Sequence, residues 1–91
     1  MYQIESASSR IKRELRRILP PDRARIAEAV QALADDPCPP GIVQLEQDVY
    51  WLRVSDYRVI YKVLDEDRTI LVGRIVRRSE STYRNLRRLF E

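Results

Sequence analysis

Hydrophobic residues near the amino terminus change from a period of two to a helical period. Tyr2 and Ile4 alternate with polar neighbours, which predicts a short first strand that ends at a serine cluster. After this strand, apolar side chains recur at helical spacing while basic side chains occupy the opposite face. The apolar positions of this first predicted helix are Ile11, Leu15, Ile18 and Leu19. Pro20 is expected to end it.

A second helix is predicted immediately afterwards, with Pro21 in its first turn. Ile26, Val30 and Leu33 form its apolar stripe, so the two helices are expected to form an antiparallel hairpin. The segment DDPCPPG, residues 35–41, is rich in helix breakers. It predicts an ordered but irregular connection and a change of architecture.

Beyond this connection the hydrophobic period becomes two, which is typical of strands. The segments with this period are Val43 with Leu45, Val49 to Val54, Tyr57 to Leu64 and Thr69 to Val76. DEDR, residues 65–68, predicts a hairpin turn, and Ser81 to Phe90 predicts a short terminal helix. The chain is therefore expected to form one domain over residues 1–91, with an α/β (α+β) fold in the order β-α-α-β-β-β. Two helices would cover one face of a twisted, mainly antiparallel sheet.

The composition limits the binding partners and the cellular compartment that are compatible with this chain. The formal charge is +3, with no histidine and a single cysteine, Cys38. An internal disulfide and a Cys/His zinc site are therefore excluded, and an anionic partner is favoured. Neither a signal peptide nor a run long enough to span a membrane is present in the sequence, so a soluble, cytoplasmic protein is expected.

Arginines and tyrosines in the last third of the chain carry the candidate chemistry. In the strand from Tyr57 to Leu64, Arg58 and Lys62 should share one side, about 13 Å apart at roughly 3.3 Å per residue. A hairpin about DEDR should bring Arg77 back towards Arg58, and two neighbouring guanidinium groups favour an anion between them. A phosphodiester fits, because Tyr83 could protonate a leaving 5′-oxygen while the arginines hold developing charge.

Three blocks of the sequence resemble the RelE/ParE superfamily of toxins from bacterial toxin-antitoxin pairs. They are RRILPPDRARIAEAVQALADDPCPPG, LRVSDYRVIYKVLDED and RRSESTYR, and together they span nearly the whole chain. DYRVIY is the most specific part, and the RelE branch is the nearer one. The resemblance implies a cytoplasmic toxin held inactive in a hetero-oligomer by a cognate antitoxin. It also implies ribosome-dependent cleavage of messenger RNA near the 16S ribosomal RNA, without metal or cofactor.

Several positions match the functional residues that this resemblance implies. Arg58 matches the family's strand arginine, Arg77 its phosphate-binding arginine and Tyr83 its carboxy-terminal tyrosine. Arg78 is an alternative to Arg77, because branch members differ in the spacing to the tyrosine. Arg84 is a further candidate contact to RNA.

The general base is the position at which this chain departs from the pattern. The best-known RelE pattern has two lysines upstream of the YR strand, where this chain has Val49 and Trp51. Lys62 is proposed as a substitute base, because it lies on the same side as Arg58. Trp51 could stack on a base of the RNA, and Arg53 is a further candidate RNA contact.

Two other functions remain open from the sequence. The missing lysines favour a ParE-like protein that inhibits DNA gyrase without cleaving RNA, whereas the RRSESTY block opposes it. A toxin fold that has lost activity and only binds its antitoxin as a corepressor is the third reading. At the level of residues, Arg58 could instead form an ion pair with Asp56, and Tyr83 could anchor the terminal helix.

Overall fold

The computed structural model describes residues 1–77 and Phe90, which form two helices and a five-stranded sheet. The elements are β1 (Gln3–Ser6), α1 (Arg10–Arg16), α2 (Pro20–Ala32), β2 (Val43–Glu46), β3 (Val49–Val54), β4 (Tyr57–Leu64) and β5 (Thr69–Arg77). The predicted α+β fold is confirmed, with one strand more than predicted after the helices. Residues 47–48 form a turn that separates β2 from β3. The terminal helix predicted from Ser81 lies outside the described residues, except for Phe90.

The strand order in the sheet is β1-β5-β4-β3-β2. Three neighbouring pairs are antiparallel, and only β1 pairs with β5 in parallel. The DEDR segment forms the predicted turn between β4 and β5, where Leu64 pairs with Thr69. The mainly antiparallel sheet predicted from the period of two is therefore confirmed.

Both helices pack on one face of the sheet. α2 begins at Pro20 and has Pro21 in its first turn, as predicted, because a proline there loses no helical hydrogen bond. α1 ends at Arg16, so Ile18 and Leu19 lie beyond the helix in which they were predicted. The apolar stripes meet alternate residues of the strands in a core formed by Ile11, Ile18, Ile26, Val30, Val54, Tyr57, Val59, Val72 and Ile75. Neither α1 nor α2 is long and apolar enough to cross a membrane.

The connection at residues 35–41 is irregular but held in place, as predicted. The fully buried Tyr61 donates a hydrogen bond of 2.7 Å from its hydroxyl to the carbonyl oxygen of Pro37. Asp36 accepts a hydrogen bond from the N–H of Cys38 at 3.3 Å. Gly41 ends the connection at φ +90°, a conformation that residues with a side chain rarely adopt.

A bulge in β5 decides which way its last residues face. Tyr61 pairs with Val72, but the adjacent Ile60 pairs with Arg74, so Gly73 is an extra residue in β5. Because side chains alternate between the faces, one extra residue reverses the facing of everything that follows. Glycine is common at such bulges, where its lack of a side chain is an advantage.

Candidate functional site

The sheet face opposite the helices brings together four of the predicted site residues. The pairing of β3 with β4 places Val49 opposite Lys62, Trp51 opposite Ile60 and Arg53 opposite Arg58. Directly paired residues of an antiparallel sheet lie on the same face. We call the surface formed by these six residues the open face. It confirms that Arg58 and Lys62 share one side of β4.

Trp51 is the platform for Arg58 on the open face. The guanidinium carbon of Arg58 lies 4.5 Å from the centroid of the Trp51 ring, within the range of a cation-π interaction. The packing fixes the plane of the guanidinium and leaves it half-buried. The predicted Trp51 therefore lies in the site, but its described contact is with Arg58.

An apolar floor lies between Arg58 and Lys62. Val49 and Ile60 are buried, with Trp51, Leu45 and Phe90 packed against them. The two cations thus bracket a small hydrophobic cluster rather than a solvated strip. A floor of this kind lowers the local dielectric and strengthens the interaction of the neighbouring cations with an anion.

Lys62, the substitute base predicted from the sequence, lies on the open face. It is paired directly with Val49, one of the two positions where the RelE pattern has a lysine. Side chains of such a pair have Cβ atoms roughly 5 Å apart, so a lysine on β4 can present its amine near the position that a lysine on β3 would reach. Lys62 is half-buried.

The predicted convergence of the Arg58 and Arg77 side chains is wrong. Their backbones are neighbours in the β4–β5 pair, but Arg58 pairs with Val76 and Arg77 pairs with Tyr57. The guanidinium carbon of Arg77 lies 5.6 Å from the centroid of the Tyr57 ring, and Tyr57 belongs to the core beneath the helices. The bulge at Gly73 causes the reversal: if Gly73 were paired with Ile60 in a regular ladder, Arg77 would shift by one position and share the face of Arg58.

Arg77 instead lines a cleft of about 300 Å³ between the end of α1 and the end of β5. We call it the edge cleft, and Glu14, Arg17 and Arg74 are also part of its lining. Glu14 accepts hydrogen bonds from Arg74 Nε at 3.1 Å, Arg74 Nη2 at 3.0 Å and the N–H of Ile75 at 3.0 Å. The sequence offered no sign of this contact beyond the charges, because its partners are 60 residues apart.

Three predicted site residues, Arg78, Tyr83 and Arg84, lie outside the described residues. In the part of the chain that the structure describes, no cluster of acidic, cysteine or histidine side chains could hold a metal ion.

The architecture is similar to that of solved bacterial and archaeal RelE proteins. The isolated Escherichia coli RelE toxin superposes with a TM-score of 0.76 at 20% identity, over 90% of this chain and 89% of that one. RelE in the archaeal RelE–RelB complex of Pyrococcus horikoshii gives 0.75 at 23% identity, over 88% and 98%. The fold is that of RelE.

Sequence comparison then supplies the family. Residues 5–82 match the family model described as the ParE toxin of type II toxin-antitoxin systems. The "Putative toxin RelE1" of Methanocaldococcus jannaschii is 30% identical over 81 residues, which cover 84% of this chain and 89% of the relative. The chain belongs to the ParE toxin family, within the RelE/ParE superfamily, and it is RelE-like.

Proposed function

We propose that this toxin is a metal-independent endoribonuclease that cleaves messenger RNA on the ribosome. The observation that carries the proposal is the open face, where Arg58 on its Trp51 platform and Lys62 opposite Val49 bracket an apolar floor. A fixed guanidinium beside a second cation suits a phosphodiester, whose charge grows as it becomes pentacovalent. Arg53, opposite Arg58, adds a contact to a neighbouring phosphate.

The proposed reaction is transfer of the scissile phosphate to the neighbouring 2′-oxygen. The amine of Lys62, in its neutral form, accepts the proton of the 2′-hydroxyl, and the 2′-oxygen then bonds to phosphorus. Arg58 holds the non-bridging oxygens while charge develops on them. The bond from phosphorus to the 5′-oxygen breaks, and Tyr83 donates the proton that this oxygen takes up. The products are a 2′,3′-cyclic phosphate and a 5′-hydroxyl end.

The proposed reaction needs the ribosome to align the RNA for attack. Positioning of the 2′-oxygen in line with the leaving oxygen is worth several orders of magnitude in rate. The described side chains of the open face supply positive charge rather than this alignment. A messenger RNA held in the decoding site is already positioned. We therefore propose the cytoplasm, where translation takes place, as the site of action.

Expression of the toxin in a bacterial host tests this activity in cells. Induction should arrest growth, and primer extension should reveal new 5′ ends within translated codons. Lys62→Met, which removes the amine but keeps an unbranched side chain, should restore growth, whereas Lys12→Met on the exposed face of α1 should not. Intact transcripts in arrested cells would refute the proposal.

Inhibition of DNA gyrase is the second candidate, and the observation that favours it is the match to a family model described as ParE. The absence of lysine from β3 points the same way. A supercoiling assay with purified protein separates the two, because a ribonuclease should leave gyrase active. Soluble expression without any arrest of growth would favour the third reading, an inactive corepressor.

A cognate antitoxin encoded beside this gene is the proposed partner. Solved relatives include the intact Escherichia coli RelBE toxin-antitoxin complex, which matches this chain with a TM-score of 0.74 at 20% identity. An acidic antitoxin segment would neutralise the positive charge of the open face and would also block access to it. Co-expression of the adjacent reading frame should restore growth and yield a co-purifying hetero-oligomer, and continued arrest would count against that partner.

A further inference from the structure

The edge cleft carries positive charge that the proposed reaction does not use. Arg17 at the end of α1 joins Arg74 and Arg77 of β5 in its lining. Glu14 is the acidic side chain among the described residues that line it. Three arginines and one glutamate give the cleft a formal charge of +2, so an anion is the ligand that its charge favours.

Glu14 does not offset the two remaining guanidinium groups. One of its oxygens accepts the N–H of Ile75, and the other accepts both hydrogen bonds from Arg74. The pair is also mostly shielded from solvent, with 25% of the Arg74 side chain and 14% of the Glu14 side chain exposed. Glu14 and Arg74 therefore neutralise each other, and the positive charge of Arg17 and Arg77 remains available.

The backbone of β5 adds a donor at the same place. Because the N–H of Ile75 donates to Glu14, Ile75 and Val59 do not exchange hydrogen bonds across the sheet. Hydrogen-bonded and non-hydrogen-bonded pairs alternate along an antiparallel ladder. Arg77, two residues further, must also direct its N–H away from β4. β1 does not pair with this part of β5, because its last partner in β5 is Val72.

The carbonyl groups at the end of α1 would oppose an anion, but a guanidinium group lies just beyond them. Arg23 on α2 donates from Nη2 to the carbonyl oxygen of Ile18, two residues after the end of α1, at 3.1 Å. A guanidinium group near the end of a helix offsets the negative end of the helix dipole. The surroundings of the cleft thus stay positive on the side of α1.

We propose that the edge cleft binds a second phosphodiester of the same single-stranded RNA, adjacent in the chain to the one at Arg58. Arg58 and Arg77 are one residue out of register on neighbouring strands, but on opposite faces. An RNA backbone that turns around the end of the sheet can therefore place successive phosphates on both. Arg17 and Arg77 hold the non-bridging oxygens in the cleft. The inference rests on RNA being the ligand of the open face.

Binding of an RNA that cannot be cleaved tests the cleft separately from the reaction. A fluorescent single-stranded hexanucleotide with 2′-O-methyl riboses is titrated with the purified full-length toxin at about 50 and 200 mM salt. Arg17→Ala should weaken binding about two- to fivefold, the range for one exposed ion pair. It should also lower the slope of log K against log salt by about 0.7, the value for one phosphate contact of a single strand.

Arg16→Ala is the matched control, because Arg16 is exposed on the same turn of α1 but does not line the cleft. It should leave the slope as in the wild type. Equal effects of the two variants would overturn the proposal, and so would tighter binding of an acidic peptide of the same charge than of the RNA. If Arg17→Ala shifts binding as expected but ribosome-bound messages stay intact, the cleft stands and the proposed reaction fails.

Discussion

The proposed chemistry depends on the contact between the side chains of Trp51 and Arg58. Trp51→Ala should lower the rate of RNA cleavage about tenfold, because a partly buried cation-π interaction is worth roughly 1–2 kcal/mol. Trp51→Phe keeps an aromatic ring and should retain most of the rate. Single-turnover cleavage on programmed ribosomes measures both variants. Equal rates for Trp51→Ala and the wild type would show that Arg58 needs no platform.

Tyr61 couples the stability of the fold to alkaline pH. Burial raises the pKa of its phenol well above the ordinary value, so the unfolded state loses the proton first. Its contribution to stability is present in full below pH 10 and should decline as the pH rises further. Urea unfolding at increasing pH should show this decline, and Tyr61→Phe should make it shallower.

The same variant tests the hydrogen bond to Pro37 at neutral pH. Loss of the hydroxyl leaves the Pro37 carbonyl without this donor, which should lower the free energy of unfolding by about 1–3 kcal/mol. A change within experimental error at neutral pH would contradict the assigned bond.

At the scale of elements, periodicity predicted most of the fold and one break in periodicity was missed. The spacing of Ile26 and Val30 on α2 and the alternation along β4 were sufficient, because both patterns follow directly from burial of one face. The facing of Arg77 depends on Gly73, and a lone glycine in a strand is only a weak sign of a bulge. Contacts such as Glu14 with Arg74 could not be predicted, because they arise from tertiary packing.

Deletion of Gly73 tests the bulge. Gly73 is the extra residue of β5, so its deletion should remove the bulge and keep Arg74 opposite Ile60 and Ile75 opposite Val59. Deletion of Ile75 is the comparison, because it removes a buried side chain and reverses the facing of Val76 and Arg77. It should lower the free energy of unfolding by more than about 3 kcal/mol, and deletion of Gly73 should lower it by less. Similar urea midpoints for the two deletions would contradict the bulge.

At the scale of the whole molecule, charge is divided between the two ends of the central strands. The start of β4 lies near Arg53 and Arg77, and its end leads into the acidic turn that begins at Asp65. A polyanion should therefore approach from the basic end. Arg53→Ala should slow association with RNA about threefold at low salt, whereas Arg68→Ala in the acidic turn should not. Stopped-flow fluorescence measures both, and equal slowing would contradict the asymmetry.

Cleavage of a messenger RNA by the purified toxin on programmed ribosomes is the most direct test of the proposed ribonuclease activity. A defined cut that leaves a 2′,3′-cyclic phosphate and a 5′-hydroxyl is expected. Arg58→Ala should lower the rate at least about a hundredfold, as loss of one group that stabilises the transition state does. Arg25→Ala, on the surface of α2, should cleave normally. Intact message with the wild-type toxin, or an Arg58→Ala variant as active as the wild type, would contradict the proposed activity.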